Sequence, residues 1–302
     1  MNAPLPIIDG VSPSSQWLPP GHWKTILDFL SERFPRVTSR TWTLRMAKGE
    51  LMDETGQRLN PESAYRAGAC IFYYREIESE ERIPFAEHIL YQDEHLLVVD
   101  KPHFLPVVPA GRFLHETLLV RLKKKLKLEM LVPIHRLDRE TAGVVLFSIN
   151  PATRGRYTSL FRERKVTKVY DALAAALPDI SLPVTRRSRI VAGEPFFRMK
   201  EIAGDPNSET HIDAGDNSED SKDGVMSYRL TPVTGRKHQL RLHMSALGIP
   251  IVNDRLYPEM SLEQWADGED PFSSPLKLLA KSVCFKDPLT GKEQYFQSDR
   301  TL

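Results

Sequence analysis

One short segment of the chain concentrates residue types that could do chemistry. Asp138 stands between Arg136 and Arg139. His135 precedes them, and the apolar run 144–147 follows. Neighbouring positive charge favours the ionised form of a carboxyl group, and a nucleophile or general base must be ionised. The simpler alternative is that Asp138 caps a turn and that both arginines are solvated.

Two later segments carry further residues of this kind. Residues 168–172 read Lys-Val-Tyr-Asp-Ala and place Tyr170 on a predicted strand. Residues 234–244 hold five cationic or ionisable side chains: Arg236, Lys237, His238, Arg241 and His243. The two histidines do not have the i,i+4 spacing that puts two metal ligands on one helical face, so we predict no metal site.

Taken in order, these motifs resemble the RluA family of RNA pseudouridine synthases. The resemblance rests on His-Arg-Leu-Asp at 135–138, on Lys-x-Tyr-x-Ala at 168–172 and on Gly-Arg-x-His-Gln-Leu-Arg-x-His at 235–243. Asp-Lys-Pro at 100–102 also matches a family motif, but Phe104 replaces the family's common Gly. Ala142 likewise replaces a common Ser. The four motifs follow family order within residues 88–285.

The resemblance implies the roles of individual residues. Asp138 would be the catalytic carboxylate, Arg241 would pair with it, and Tyr170 would stack on the target uracil. Arg136 would fill the space that a flipped-out base leaves. The other predicted RNA-binding residues would contact phosphates or support the site: His135, Arg236, Lys237 and His238. Without the resemblance, Arg241 could be a surface arginine and Tyr170 an ordinary strand tyrosine.

Composition narrows the class of protein. The 302 residues are 41% hydrophobic and 27% charged, which is ordinary for a globular protein. We see no apolar window long enough for a membrane span, and the segment 1–20 lacks the pattern of a signal peptide. Cys70 and Cys284 are too few for a disulfide framework. We therefore predict a cytoplasmic, soluble, monomeric protein.

Charge is unevenly distributed along the chain. The net charge is +1, yet residues 101–168 hold fifteen Lys or Arg against five Asp or Glu. Residues 199–224 hold eight acidic residues against two lysines. A basic region of this kind favours a polyanionic partner such as RNA. For the basic cluster 121–127, a solvated helix face over a buried leucine stripe is the alternative.

The pattern of apolar residues predicts that the chain has two parts. Residues 1–20 are predicted to be a loose arm, followed by helices over 23–34 and 38–48 and strands over 50–53 and 69–75. This order resembles a small RNA-binding module first described in a small-subunit ribosomal protein, although a purely structural leader fits as well. The charged segment 76–82 places the boundary near 82, giving parts 1–82 and 83–302.

The larger part is predicted to be a mixed α+β domain of the pseudouridine-synthase type, with a mostly antiparallel sheet. Strands are predicted at five places: 88–91, 95–99, 144–148, 166–172 and 226–230. Helices are predicted over 151–164 and 236–246. Residues 203–224 are rich in Gly, Asp, Asn and Ser and are predicted to be a mobile polar loop.

The sequence thus predicts an RNA pseudouridine synthase that acts on ribosomal RNA in preference to transfer RNA. Isomerisation of uridine neither adds nor removes a group, so we predict no cofactor. One rival is a catalytically idle RNA-binding or ribosome-assembly factor on the same fold. A second is a glycoside hydrolase, which would need a second carboxylate beside Asp138. Glu140 is expected to be exposed and is a poor partner.

Overall fold

The computed structural model describes residues 3–77, 79–176, 181–216, 224–260 and 270–302. The chain forms two compact units. The first consists of Met1–Glu81, Ala110–His115 and Val120–Glu129. The second consists of Arg82–Pro109, Glu116–Leu119 and Met130–Leu302. The described part of the chain contains no helix long and apolar enough to cross a membrane.

The first unit combines two helices with a small sheet. Its elements are β1 (Ser14–Trp17), α1 (Ile26–Arg33), α2 (Ser39–Ala47), β2 (Leu51–Asp53) and β3 (Cys70–Tyr73). The strand order is β1-β3-β2, and both pairings are antiparallel. Strand β1 corrects the prediction of a loose arm over residues 1–20, because Ser14–Trp17 pairs with β3 along its whole length.

Local signals explain where the two helices begin. Thr25 and Asp28 form a capping box, in which each side chain accepts the backbone N–H of the other residue. Thr38 caps α2 by accepting the N–H of Thr41. The apolar faces of both helices pack on the sheet, and Leu30 and Trp42 are almost completely buried. Helix packing, more than propensity, stabilises helices this short.

The basic cluster 121–127 lies mostly on α3 (Leu118–Leu126), whose residues from Val120 onward belong to the first unit. Leu118 and Leu122 are fully buried, as a leucine stripe requires. Lys123, however, is only 6% exposed, and its Nζ lies 3.3 Å from Ser12 Oγ. The cluster therefore does not offer all its lysines to a ligand.

The second unit is built on one large sheet. Its strands are β4 (His88–Gln92), β5 (Leu96–Lys101), β6 (Val132–Pro133), β7 (Ala142–Ser148), β8 (Val166–Ala175), β9 (Val184–Ala192), β10 (Met199–Ile202), β11 (Ser208–Ala214), β12 (Val225–Pro232), β13 (Leu278–Lys286) and β14 (Glu293–Gln297). The order is β10-β9-β11-β12-β8-β13-β7-β5-β4, with β14 on β13 and β6 on β7. The helices that accompany the sheet are α4 (Arg154–Arg162) and α5 (Gln239–Ala246).

The pairing confirms the predicted α+β class. Among the described strands, only the pair β7–β13 is parallel. Strands β5 and β7 lie between β4 and β13 and are buried along their whole length, so their sequences are mainly apolar without alternation. The predicted strands at 88–91, 144–148, 166–172 and 226–230 lie within observed strands, and the one at 95–99 overlaps β5 from Leu96 onward.

The predicted polar loop 203–224 was wrong over part of its length. Residues Ser208–Ala214 form β11, which pairs with both β9 and β12. Its inward positions are Ser208, Thr210 and Ile212, all buried. Two of these three are hydroxyl residues, so the alternation is weak in a hydropathy pattern. Residues 217–223 of the predicted loop lie outside the described residues.

One row across the sheet fixes the geometry of the site. Gly143 on β7 pairs with Ala280 on β13, which pairs with Tyr170 on β8, which pairs with Leu230 on β12. Gly143 has φ +111°, and a Cβ there would lie 2.2 Å from the carbonyl oxygen of Ala280. Only glycine lets β7 and β13 approach this closely.

Gly143→Ala should therefore destabilise the protein by about 2 kcal/mol or more, because the new methyl group meets rigid backbone at a left-handed φ. Denaturant unfolding measures this loss. Gly155→Ala is the matched control, since a Cβ there meets nothing within 4 Å on α4. Alanine should raise stability at that position by about 0.5–1 kcal/mol. Equal effects of the two substitutions would contradict the close approach at Gly143.

Candidate active site

A cleft of about 660 Å³ opens in the second unit. Three regions supply most of its walls: the loop between β6 and β7, strand β8, and the turn from β12 into α5. The residues predicted to be catalytic or to bind RNA all line it: His135, Arg136, Asp138, Tyr170, Arg236, Lys237, His238 and Arg241. The fold thus brings three separate motifs to one cavity.

Asp138 lies on the loop that leads into β7. Its carbonyl oxygen accepts the N–H of Thr141, which closes a turn just before the strand. Its side chain is 31% exposed, and Oδ2 lies 3.9 Å from both Arg241 Nη1 and His238 Nε2. Within the described part of the chain, the carboxylate has no hydrogen-bond partner. It is therefore close to positive charge and still available to a ligand.

The Asp-Lys-Pro motif holds this loop from behind. Lys101 is fully buried, and its Nζ donates to the carbonyl oxygens of Pro102 (2.9 Å), Leu105 (2.8 Å) and Arg139 (3.1 Å). Burial lowers the pKa of Lys101 to about 7, but three carbonyl acceptors match the three N–H donors of an ammonium group. Lys101 thereby fixes the backbone next to Asp138.

The structure also shows how Phe104 is accommodated in this motif, where the family commonly has Gly. Phe104 has φ +65°, a left-handed conformation that glycine adopts without cost and other residues adopt rarely. Its ring is buried and packs edge-on against Phe272. Beside it, His103 donates from Nδ1 to the carbonyl oxygen of Glu140 at 2.7 Å. The loop therefore keeps the glycine-like conformation, and its aromatic side chain is accommodated by packing.

Arg241 is an interior arginine. It is 3% exposed, although the sequence alone allowed a surface position. Its shortest bonds go to Asp254, from Nε to Oδ2 at 2.7 Å and from Nη2 to Oδ1 at 2.6 Å. Only Nη1 faces Asp138. Asp254 is thus the principal counter-ion, and the guanidinium is held rigidly with one edge toward the predicted catalytic carboxylate.

Tyr170 lies on β8 at the centre of the sheet and packs partly against the apolar cluster beneath α5. Burial, together with the Asp138 carboxylate, raises the pKa of the Tyr170 hydroxyl. The hydroxyl therefore keeps its proton at neutral pH and can act as a donor. Two residues earlier, burial lowers the pKa of Lys168 to about 8, and its Nζ donates to the carbonyl oxygen of Thr234 at 3.3 Å.

Four of the five predicted RNA-binding residues fall into two groups, and the fifth, His238, is 9% exposed. Arg136, Arg236 and Lys237 are exposed at the cleft. His135 is directed inward, where its Nε2 accepts the N–H of Leu146 at 3.1 Å and its ring stacks on Phe161. Burial lowers the pKa of His135 to about 3, so the ring is neutral. Its position suits support of the loop better than contact with a phosphate.

The cleft offers a single acid. Asp138 is the only Asp or Glu among the described residues that line it. Glu140 is more buried than expected, with 17% of its side chain exposed, and it accepts a hydrogen bond from Arg139 Nε at 2.9 Å. Asp254 is fully engaged with Arg241. A glycosidase with two working carboxylates therefore finds no support in this geometry.

The sequence analysis assigned no role to several residues that shape the site. Asp254 stands thirteen residues beyond Arg241, and Lys101 thirty-eight before Arg139, so no local pattern connects them. Gln239 was also missed, although its amide donates to Thr210 Oγ1 and its oxygen accepts from Thr234 Oγ1. The available sequence signal was the place of Gln239 inside the motif at 235–243.

Known proteins are similar to this chain in sequence and in fold. The sequence profile described as RNA pseudouridylate synthase matches residues 95–246. An uncharacterised RNA pseudouridine synthase of Synechocystis is 30% identical over 246 residues, which cover 77% of this chain and 79% of that protein. The dual-specificity RNA pseudouridine synthase RluA of Haemophilus influenzae is 31% identical over 70% of this chain and 91% of its own.

A solved structure agrees with the sequence comparisons. Human RNA pseudouridylate synthase domain containing 1 superimposes with a TM-score of 0.56 and 27% identity, over 74% of this chain and 86% of that one. The sequence profile, the relatives and the structural neighbour together show an RNA pseudouridine synthase, which is an isomerase. The chain belongs to the RluA family of these enzymes.

Proposed function

We propose that the protein isomerises specific uridines to pseudouridine in structured RNA, with Asp138 as the catalytic carboxylate. The observation that carries the proposal is the position of Asp138: a partly exposed carboxylate in a cationic cleft, 3.9 Å from the buried guanidinium of Arg241 and near a protonated Tyr170. The three residue types that the family uses occur together here.

The reaction breaks the bond between ribose C1′ and ring N1 and forms a bond between C1′ and ring C5. The hydrogen on C5 is lost to solvent, and N1 takes up a proton. One carboxylate can serve by attacking the ring or the ribose, or by removing a ribose proton. All three routes require an ionised Asp138.

Tyr170 is proposed to contact the target uracil. Its ring can stack on the base, and its hydroxyl retains a proton because burial and Asp138 raise its pKa. A target uridine in folded RNA is stacked, so it must be flipped out, at a cost of a few kcal/mol. Arg136 is exposed at the cleft, and its planar guanidinium could replace the lost stacking.

Arg236 and Lys237 are proposed to bind phosphates, because both are exposed at the rim of the cleft. The double variant Arg236→Ala/Lys237→Ala should weaken RNA binding. Its log–log dependence on salt should become shallower by about 0.7–0.9 for each phosphate that the protein no longer neutralises. Filter binding over a range of KCl concentrations measures both quantities.

Lys286→Ala/Lys292→Ala is the matched control for that pair. It removes the same two charges from exposed positions of the second unit that do not line the cleft. We expect its affinity and salt slope to stay near those of the wild type. If both variants changed binding equally, the RNA contact would be a diffuse charge effect and not a property of the rim.

Ribosomal RNA is the proposed substrate, with transfer RNA as the alternative. The segment 235–248 resembles the branch of the family that acts on large-subunit ribosomal RNA and sometimes on transfer RNA. The resemblance of the N-terminal part to a small RNA-binding module from a ribosomal protein favours ribosomal RNA. Carbodiimide labelling and primer extension should reveal pseudouridines in cellular RNA that disappear when the gene is deleted. Disappearance of a transfer-RNA site alone would select the alternative. An unchanged set of sites in every RNA would favour a catalytically idle RNA-binding protein.

A further inference from the structure

His238 connects Asp138 to a tyrosine that has no assigned role. It is the residue immediately before α5 and has φ +57°, an uncommon conformation for a residue other than glycine. Its Nε2 lies 3.9 Å from Asp138 Oδ2. Its Nδ1 lies 2.8 Å from the hydroxyl oxygen of Tyr257. The imidazole thus lies between Asp138 in the cleft and Tyr257 in the interior of the second unit.

Tyr257 is held from several sides. It is 3% exposed, and its hydroxyl oxygen accepts the N–H of Met199 at 2.9 Å. The guanidinium groups of Arg198 and Arg241 lie 5.1 Å and 5.5 Å from its ring centroid. Its backbone N–H donates to Asp254 Oδ1 at 3.1 Å. The hydroxyl group therefore has a fixed position relative to α5.

The proton of the Tyr257 hydroxyl has two possible acceptors. One is His238 Nδ1 at 2.8 Å, and the other is the carbonyl oxygen of Met199 at 3.3 Å. The shorter distance favours Nδ1, which then has no proton of its own. The neutral ring consequently carries its proton on Nε2. The opposite tautomer would direct the lone pair of Nε2 at the carboxylate of Asp138, which is unfavourable.

The charges around the imidazole agree with a neutral ring. Burial lowers the pKa of His238 to about 4, and Arg241 and Lys237 act in the same direction, against Asp138 and Asp254. A neutral imidazole with a proton on Nε2 presents one N–H donor toward Asp138. Arg241 Nη1 approaches the same oxygen, Oδ2. Among the described residues, the recorded approach of both groups is to Oδ2 and not to Oδ1.

We infer that Tyr257 is a positioning residue, which fixes the tautomer and orientation of His238. His238 Nε2 and Arg241 Nη1 both face Oδ2 of Asp138 at 3.9 Å, an ionic approach without a hydrogen bond, so that Oδ1 is the oxygen presented to the substrate. The inference rests on the proposed function, because the orientation of Asp138 matters for the reaction only if Asp138 is the catalytic carboxylate. It makes His238 part of the active site and not a phosphate contact.

The tautomer can be measured without any substrate. Long-range proton–nitrogen NMR of the ¹⁵N-histidine-labelled full chain, with His238→Gln to assign the signal, should show a protonated Nε2 and a bare Nδ1 for His238. Tyr257→Phe should remove the preference for that form. A protonated Nδ1 in the wild type would overturn the inference. This measurement stands even if the wild type proved inactive, which would instead refute the proposed function.

Kinetics test whether Tyr257 acts through His238. The probe is [5-³H]uridine-labelled RNA from cells that lack the gene, with enzyme in excess. Tyr257→Phe should lower the single-turnover rate by about tenfold to a hundredfold, the range seen for partners that orient metal-bound imidazoles. His238→Gln keeps an amide N–H near the position of Nε2 and needs no partner at Nδ1. Adding Tyr257→Phe to His238→Gln should therefore cause no further loss.

Tyr228→Phe is the matched control. It removes another tyrosine hydroxyl of the second unit, which donates to the carbonyl oxygen of Ala175 at 2.7 Å and does not line the cleft. Its rate should equal that of the wild type. If Tyr257→Phe had the same effect with histidine or glutamine at 238, Tyr257 would act independently, through Met199 and the strand that carries it. That outcome would refute the positioning role.

Discussion

Asp138→Asn should abolish isomerisation and leave the protein folded. Asparagine keeps the size of the side chain but cannot act as a nucleophile or as a base. We expect the rate to fall by at least about 10³-fold, because acid–base catalysis alone contributes about 10²–10⁴-fold. Digestion of treated RNA to nucleosides, followed by quantification of pseudouridine, measures the loss. RNA affinity and melting temperature should change little, since the Asp138 carboxylate has no hydrogen bond among the described residues.

Asp213→Asn provides the control for this substitution. Asp213 is an exposed carboxylate on β11 in the same unit and does not line the cleft. Neutralising it changes the net charge by the same amount, so any general effect of charge on RNA binding would appear in both variants. We expect full activity from Asp213→Asn. Activity of Asp138→Asn near the wild-type rate would remove Asp138 from its proposed role.

Arg241→Met should impair both activity and stability. The substitution removes the guanidinium that faces Asp138 and leaves Asp254, 1% exposed, without its bidentate partner. Breaking a buried ion pair from one side costs about 3–5 kcal/mol. Methionine retains most of the apolar volume, so the loss is mainly electrostatic. Denaturant unfolding and the single-turnover rate give the two effects separately.

A second variant separates folding from catalysis at this pair. Arg241→Met/Asp254→Asn removes both charges, while the amide oxygen at 254 can still accept the N–H groups of Leu256 and Tyr257 that Asp254 Oδ1 accepts. We expect much of the stability to return and the activity to remain low. Recovery of activity together with stability would show that Arg241 serves the fold only.

The sequence predicted the centre of the site better than its surroundings. Asp138, Tyr170 and Arg241 fall in three motifs whose types and order are informative without coordinates. The structure adds the reason that they meet: Gly143, Ala280 and Tyr170 form one row across β7, β13 and β8. The loop that carries Asp138 ends where that row begins. Strand pairing between distant segments sets this arrangement, and hydropathy does not encode it.

What could not be predicted depends on long-range polar contacts. Asp254 and Tyr257 were visible in the sequence, but a carboxylate and a phenol in a loop usually have solvent as their partner. Their significance comes from burial against Arg241 and His238. Strand β11 was hidden for a related reason, because Thr210 bonds with buried His243 and Gln239 and not with apolar side chains. A hydropathy pattern does not reveal elements whose buried contacts are polar.

The lysine cluster on α3 is conspicuous in the sequence, and the structure limits what it can contribute. Composition made residues 121–127 the most conspicuous basic feature, but Lys123 is buried and only some of its neighbours are exposed. All of residues 121–127 belong to the first unit, and the cleft lies in the second. The exposed cations Arg136, Arg236 and Lys237 therefore make the stronger prediction for RNA contact, although they are fewer and farther apart in the sequence.

Release of tritium from [5-³H]uridine-labelled RNA tests the central claim most directly. Forming the bond from C1′ to C5 must expel the hydrogen on C5, so each conversion releases one label to water. RNA from cells that lack the gene, incubated with the purified protein, should release tritium to a plateau set by the number of target sites. Asp138→Asn should release none under the same conditions. RNA that binds to the wild-type protein without any release of tritium would contradict the assignment.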